Sequence, residues 1–176
     1  MKSNWTRIDS IRTESLIDWA REQTLFPELF NGQPTKRFEA WYGLGVELLK
    51  GGKSWRIYQA RPINQEPLLK ELCDRYLPFA NSVLLYHYPV GVGIGEHYDK
   101  PVFNNQVVIV NLIDAQTDLF GEKPPIKFKF GGVTKILHDG DVVKFDASVN
   151  HGLPPVKVPR YSLSLRVIED SIPAVA

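Results

Sequence analysis

Cysteine is almost absent from this sequence. Cys73 stands alone, so no internal disulfide can form, and the chain suits a reducing compartment. A lone thiol also excludes zinc-ribbon chemistry. Long apolar runs are missing as well, and the opening Met1-Lys-Ser-Asn-Trp-Thr6 has no apolar signal region, so neither a membrane span nor a secretory leader is expected and cytoplasmic residence is the default. Charge of one sign is not in excess: the net charge is +1, which gives no global electrostatic case for a polyanion partner. There are no internal repeats or low-complexity stretches. Histidine is scarce too, with four in the chain, so any metal-ligand census is short.

What is present is an ordinary globular composition, 43% hydrophobic and 23% charged over 176 residues. It is enough for one domain to bury a core without staples, and a monomer is expected. Residues 10–23 read as a helix, with Ser10 or Thr13 as cap and Leu16, Trp19, Ala20 and Gln23 near helical spacing. A second helix spans about 66–77, introduced by Asn64 and with Pro67 in its first turn; Leu68, Leu69, Leu72, Cys73 and Tyr76 form its buried stripe. Between them, residues 35–61 are punctuated by glycines and suggest irregular strands or hairpins, the material of a mobile lid. Basic and aromatic residues alternate there: Lys36, Arg37, Lys50, Lys53, Arg56 and Arg61 with Trp41, Tyr42, Trp55 and Tyr58, a pattern suited to phosphate contact and base stacking.

From residue 81 the hydrophobic period becomes two. Strands are expected at 82–88, 94–99, 105–113, 126–130, 134–138, 141–145 and 160–168, with Asp139-Gly140 as a hairpin turn. Many short strands of this kind make a mainly β fold with flanking helices, an all-β barrel or a double-sheet jelly roll.

Within Gly95-Glu-His97-Tyr-Asp99-Lys100, strand alternation puts His97 and Asp99 on one side and Tyr98 on the other. Alone, His-x-Asp is an ordinary strand pair. A metal would need a third ligand, and His151 is the candidate. His87 lies between Tyr86 and Tyr88 and faces away from both, while His138 sits in a turn, as do Asp139 and Asp141. Two histidines and a carboxylate leave the opposite positions on a metal open, the donor set of non-haem Fe(II) oxygenases. Nine residues beyond His151, Arg160-Tyr-Ser-Leu-Ser-Leu-Arg166 alternates strictly, with Tyr161, Leu163, Leu165 and Val167 on one face and Arg160, Ser162, Ser164 and Arg166 on the other. At strand rise the two arginine Cα atoms lie about 20 Å apart. Their side chains, bending inward, could hold a small dianion lengthwise.

These residues resemble the signature of the AlkB-type 2-oxoglutarate- and Fe(II)-dependent dioxygenases. The likeness includes Leu84-Leu-Tyr-His-Tyr88-Pro-x-Gly91, Ile126-Lys-Phe-Lys-Phe-Gly-Gly132, Gly140-Asp-Val-Val-x-Phe145 and His151-Gly-Leu153. It covers about the last ninety residues; Arg37-x4-Tyr42-Gly43 sits where that family has its substrate lid. The resemblance implies a double-stranded β-helix core at about 81–170 behind an N-terminal helix and lid at about 1–62. It implies Fe(II) on His97, Asp99 and His151, 2-oxoglutarate on Tyr88, Arg160 and Arg166 with Tyr86 and Ser162 in place of family asparagines, and O2 as oxidant. The implied reaction couples decarboxylation of 2-oxoglutarate to succinate with C–H hydroxylation, which releases formaldehyde from an N-methyl group. The implied substrate is an alkylated base in DNA or RNA, or a modified nucleotide, with Arg37, Trp41, Tyr42 and Tyr58 in the lid and the base flipped onto an aromatic ring. Pro101 stands where some members carry a base-reading acid, and the His151–Arg160 interval is compact. A hydroxylase of a protein side chain or small metabolite is the alternative, and a non-catalytic metal- or nucleic-acid-binding barrel a further one.

Overall fold

A computed structural model describes residues 4–169, apart from the side chain of Lys50. The expected lid start at residues 1–3 and core end at 170 lie outside the described residues.

Strand formation begins earlier than the apolar pattern suggests. Trp5–Ser10 is a strand, β1, and not the approach to a helix. Its first residue pairs with Phe145, and the Trp5 ring lies 5.1–5.3 Å from those of Phe128, Phe130 and Phe145. The first helix, α1, is therefore shorter than expected, Glu14–Glu22. Thr13 precedes it, but the Thr13 hydroxyl donates to Asp139 at 2.6 Å and does not cap the helix. The second helix, α2, runs Pro67–Tyr76 with proline in its first turn. Cys73 is buried on its inner stripe and burial pushes the thiol up to about 11, as for an inert core residue.

Residues 35–61 are more regular than their glycines imply. Phe26–Phe30 (β2) pairs with the start of β3, a single strand Gln33–Leu49. The first half of β3 pairs with β5 (Ser82–Tyr88) and the second half with β4 (Ser54–Gln59). The handover comes at Gly43, whose φ is +73° and where a Cβ would stand 2.3 Å from the Asn81 carbonyl oxygen. A glycine that reads as a breaker is here a pivot inside one strand.

The remaining strands are β6 (Ile94–His97), β7 (Gln106–Ile113), β8 (Ile126–Phe130), β9 (Val133–Leu137), β10 (Asp141–Asp146), β11 (His151–Leu153) and β12 (Arg160–Arg166). They form two sheets. The larger has the order β1-β10-β7-β12-β5-β3-β2 with β4 added on β3, and the smaller β6-β11-β8-β9. This is the expected jelly roll. Asp139-Gly140 is not a hairpin, however: β9 pairs with β8 and β10 with β7 and β1, so the turn carries the chain from one sheet to the other. Gly140 has φ +82° and would collide with the Ile11 carbonyl if it bore a Cβ.

Alternation along the strands builds two cores. Outward residues of the larger sheet, among them Val83, Leu85, Val110, Leu163 and Leu165, pack under α1 and α2. Inward residues such as Val107, Ile109, Phe128, Phe130 and Phe145 fill the space between the sheets. Where these thin out, a cavity of about 1410 Å³ opens. Among the described residues no helix is long and apolar enough to cross a membrane.

Candidate metal centre

Antiparallel pairing of β6 with β11 sets His97 directly opposite His151, with ring centroids 4.6 Å apart. β6 ends at His97, sooner than expected, yet Asp99 still turns back toward both rings, its amide donating to the Ala147 carbonyl at 3.2 Å. His97 Nε2 lies 3.5 Å and His151 Nε2 3.3 Å from Asp99 Oδ1. One ligand atom from each of the three residues falls within 4.8 Å of the others.

The outer contacts decide which atoms face inward. Each Nδ1 lies 2.8 Å from a main-chain carbonyl, Gly95 for His97 and Val149 for His151. Since a carbonyl only accepts, each Nδ1 carries the proton and each Nε2 offers a lone pair. The Val149 carbonyl thus orients the His151 ring. Asp99 Oδ2 accepts from Arg166 Nη1, which leaves Oδ1 for the centre. Burial alone would raise the Asp99 carboxyl, but the Arg166 guanidinium outweighs it and holds the group well below the usual carboxylate range. Two nitrogen lone pairs and an anionic oxygen thus converge on the cavity. This donor set fits a divalent first-row metal with open positions on the cavity side.

Arg166 is spent on this task. Its guanidinium pairs with Asp99 and covers the Phe103 ring at 4.6 Å, so it is not the second jaw of the diacid clamp expected from alternation alone. Arg160 differs. It is 1% exposed, its Nε donates to Asn111 Oδ1 at 2.6 Å, and its Nη2 has no hydrogen-bond partner among the described residues. Burial draws its ionisation down to about 10. Tyr88 faces it across the β12–β5 pair, with the Arg160 guanidinium 5.1 Å over the ring. Ser162 and Tyr86 border the same cavity, though the Tyr86 hydroxyl donates to Glu28 at 3.1 Å. Asn111 escaped sequence reading. Its only signal is a lone amide in an apolar strand, where it ties Arg160 to the sheet-crossing turn by donating to the His138 carbonyl.

The four lid candidates separate. Trp41 and Tyr58 border the cavity, and Trp41 stacks on Phe103 at 6.3 Å. Tyr42 does not: it is on the opposite face of β3, 2% exposed, packed on Trp19 with its hydroxyl donating to Gln23. Arg37 reaches the cavity but is already bound, donating to both oxygens of Glu28 at 2.5 and 2.9 Å and to the Tyr88 hydroxyl at 3.1 Å. Of the expected basic patch, Arg56 pairs with Glu47 and Arg61 with Glu66. The acids that pair with these arginines come from other parts of the chain. His87 stacks on Tyr161 at 4.6 Å, on the helix side of the sheet.

No protein-family model and no curated protein matches the chain. Solved structures do. A Pseudomonas putida prolyl-4-hydroxylase is 14% identical with a TM-score of 0.58, covering 96% of this chain and 94% of that one. A 2OG-Fe(II) oxygenase family oxidoreductase from Burkholderia pseudomallei is 15% identical with a TM-score of 0.58, covering 86% and 76%. The fold is the jelly roll of the 2-oxoglutarate–Fe(II) oxygenases. A Trichoplax adhaerens prolyl hydroxylase, solved with a hypoxia inducible factor peptide, has the same oxygenase fold at 12% identity and a TM-score of 0.57, covering 96% and 84%. These likenesses give no support to the AlkB branch that the sequence motifs resemble.

Proposed function

We propose that this chain is an Fe(II)- and 2-oxoglutarate-dependent hydroxylase, acting on a side chain of a peptide or protein or on a small metabolite. One observation carries the reading: a two-histidine, one-carboxylate donor set shares a cavity with a fully buried arginine that keeps an unpartnered nitrogen. A buried cation with an unused donor is costly unless an anion completes it.

His97, Asp99 and His151 would hold Fe(II). Arg160, with Tyr88 and Ser162 beside it, would take the distal carboxylate of 2-oxoglutarate, and Arg166 would keep Asp99 turned toward the metal. When bound, iron and 2-oxoglutarate supply the oxidising chemistry with O2, yielding succinate, CO2 and a hydroxylated C–H position. The chain's own part is to present neutral Nε2 atoms, to fix one carboxylate oxygen, and to seal the cosubstrate behind Tyr86 and Tyr88 so that water is excluded.

The ion pairs of Arg37, Arg56 and Arg61 and the burial of Tyr42 weigh against demethylation of a nucleobase, since they withdraw four members of the basic aromatic face that reading needs. The prolyl hydroxylase neighbours weigh toward a peptide or amino-acid substrate. The deciding experiment is an anaerobic Fe(II) and 2-oxoglutarate titration, then a substrate panel. We expect binding of 2-oxoglutarate only with metal, and succinate formation matched by gain of one oxygen on a peptide or amino acid. Formaldehyde from methylated oligonucleotides would reverse the substrate assignment, and no metal-linked binding would remove the oxygenase reading.

A further inference from the structure

The cavity carries an acid that the metal and 2-oxoglutarate do not use. Glu39 projects from the same face of β3 as Arg37 and Trp41, into the cavity that holds the metal centre. Its neighbours are committed elsewhere: Arg37 to Glu28, and Arg56 to Glu47. Among the described residues Glu39 has no ion-pair partner, and it is not freely solvated. Burial and the nearby Glu28 carboxylate push it up to about 7, outweighing a hydrogen bond from Trp41 and the attraction of Arg37. Rings surround it. Tyr86 is its register partner on β5, Trp41 is two residues on, and Tyr58, lying flat on Gly45, feels its charge. Phe26 is its register partner on β2, is mostly exposed, and borders the cavity.

A largely buried carboxylate beside aromatic residues, whose nearest cation Arg37 is paired with Glu28, is an incomplete site that a further cation would complete. We propose that Glu39, with Trp41 and Tyr58, recognises a basic group on the substrate, an ammonium or guanidinium carried on an alkyl stem. The stem would run along Phe26, and the substrate class narrows from any side chain or metabolite to a basic one. This rests on the hydroxylase reading only in taking the cavity for a substrate site. It does not require turnover.

The test is therefore binding. Ligand-observed NMR titrations would compare Nα-acetyl-lysine methylamide, its neutral counterpart Nα-acetyl-norleucine methylamide, and free pentylamine, on the wild type and on Glu39→Gln. The lysine probe should bind about tenfold tighter than norleucine. Glu39→Gln should erase that preference while still binding norleucine, which shows the cavity intact. The preference should also weaken between about pH 8.5 and about pH 5.5, as Glu39 takes up a proton beside Glu28, Arg37, Tyr58 and Tyr86. Tighter binding of the capped lysine than of pentylamine would assign the cation to a peptide, and the reverse to a free amine. Equal affinity of the lysine and norleucine probes, or a lysine preference that survives Glu39→Gln, would overturn the proposal. Loss of metal-linked 2-oxoglutarate binding with the lysine preference intact would instead sink only the oxygenase reading.

Discussion

On one face of β12, Tyr161, Leu163 and Leu165 meet the side chains beneath α1 and α2; on the other, Arg160, Ser162, Ser164 and Arg166 line the cavity. All seven residues are buried. The outward face follows the ordinary logic of a core, in which apolar groups leave water and every contact is made within the chain. The inward face takes charged and hydroxyl groups out of water and leaves two guanidinium nitrogens, Arg160 Nη2 and Arg166 Nε, without partners. Burial on the two faces means different things: one is finished by folding, and the other, on the proposed function, waits for a ligand.

The sharpest way to test this contrast is to damage each face in turn. His97→Ala, on the cavity side and partly exposed, should abolish metal-dependent succinate formation while the protein still folds, as judged by urea unfolding. Full activity would remove the metal assignment. Asp99→Ala should behave differently, because it strands the buried Arg166 cation; we expect lost activity and a stability loss of about 3–5 kcal/mol. Leu163→Ala on the outward face should cost about 2–5 kcal/mol by leaving a cavity under the helices, with 2-oxoglutarate affinity kept in whatever fraction is folded. Arg160→Ala should show the reverse pattern. Its removal strands the buried Asn111 amide oxygen and should cost the ligand-free protein only about 1–3 kcal/mol, yet the 2-oxoglutarate requirement should rise about 30- to 100-fold, the worth of a charge-assisted contact. A large loss of stability without ligand would mean that the inward face, too, is finished by folding.

The smallest effect concerns pH. Glu39 titrates higher in the folded chain, at about 7, than its ordinary 4.5. A raised acid contributes stability that is whole below the ordinary value and lost as pH climbs through the folded one. Stability should therefore fall by about 1–2 kcal/mol between pH 5 and pH 8, and Glu39→Gln should flatten the profile. An unchanged slope in that variant would put the titration elsewhere.

Much of this was legible in the sequence for a simple reason: β alternation is local. The two faces of β12 and the pairing of His97 with Asp99 on one side need only a period of two. Even so, the alternation that assigned Arg166 to the cavity could not say what it would grip, because Asp99 reaches it across the fold. The same limit hid the acids Glu28, Glu47 and Glu66 that pair with Arg37, Arg56 and Arg61. β1 was missed because Trp-Thr-Arg-Ile-Asp-Ser has no apolar face of its own and becomes a strand through its partner β10. Gly43 misled in the opposite direction, since a pivot and a break look alike until Asn81 is placed behind it.

β12 lies at the middle of the larger sheet, hydrogen-bonded to β5 on one side and β7 on the other, although among the described residues it comes after every other strand. During synthesis, then, β5 and β7 emerge with open edges and nothing between them, and long-range pairing of this sort is slow. The ribosome delivers Arg160 and Arg166 within the strand that closes that gap. A growing polypeptide therefore gains its central seam and both buried guanidinium groups in a single late event, and, on the proposed function, a nascent form able to bind 2-oxoglutarate on Arg160 before its sheet is complete should not exist.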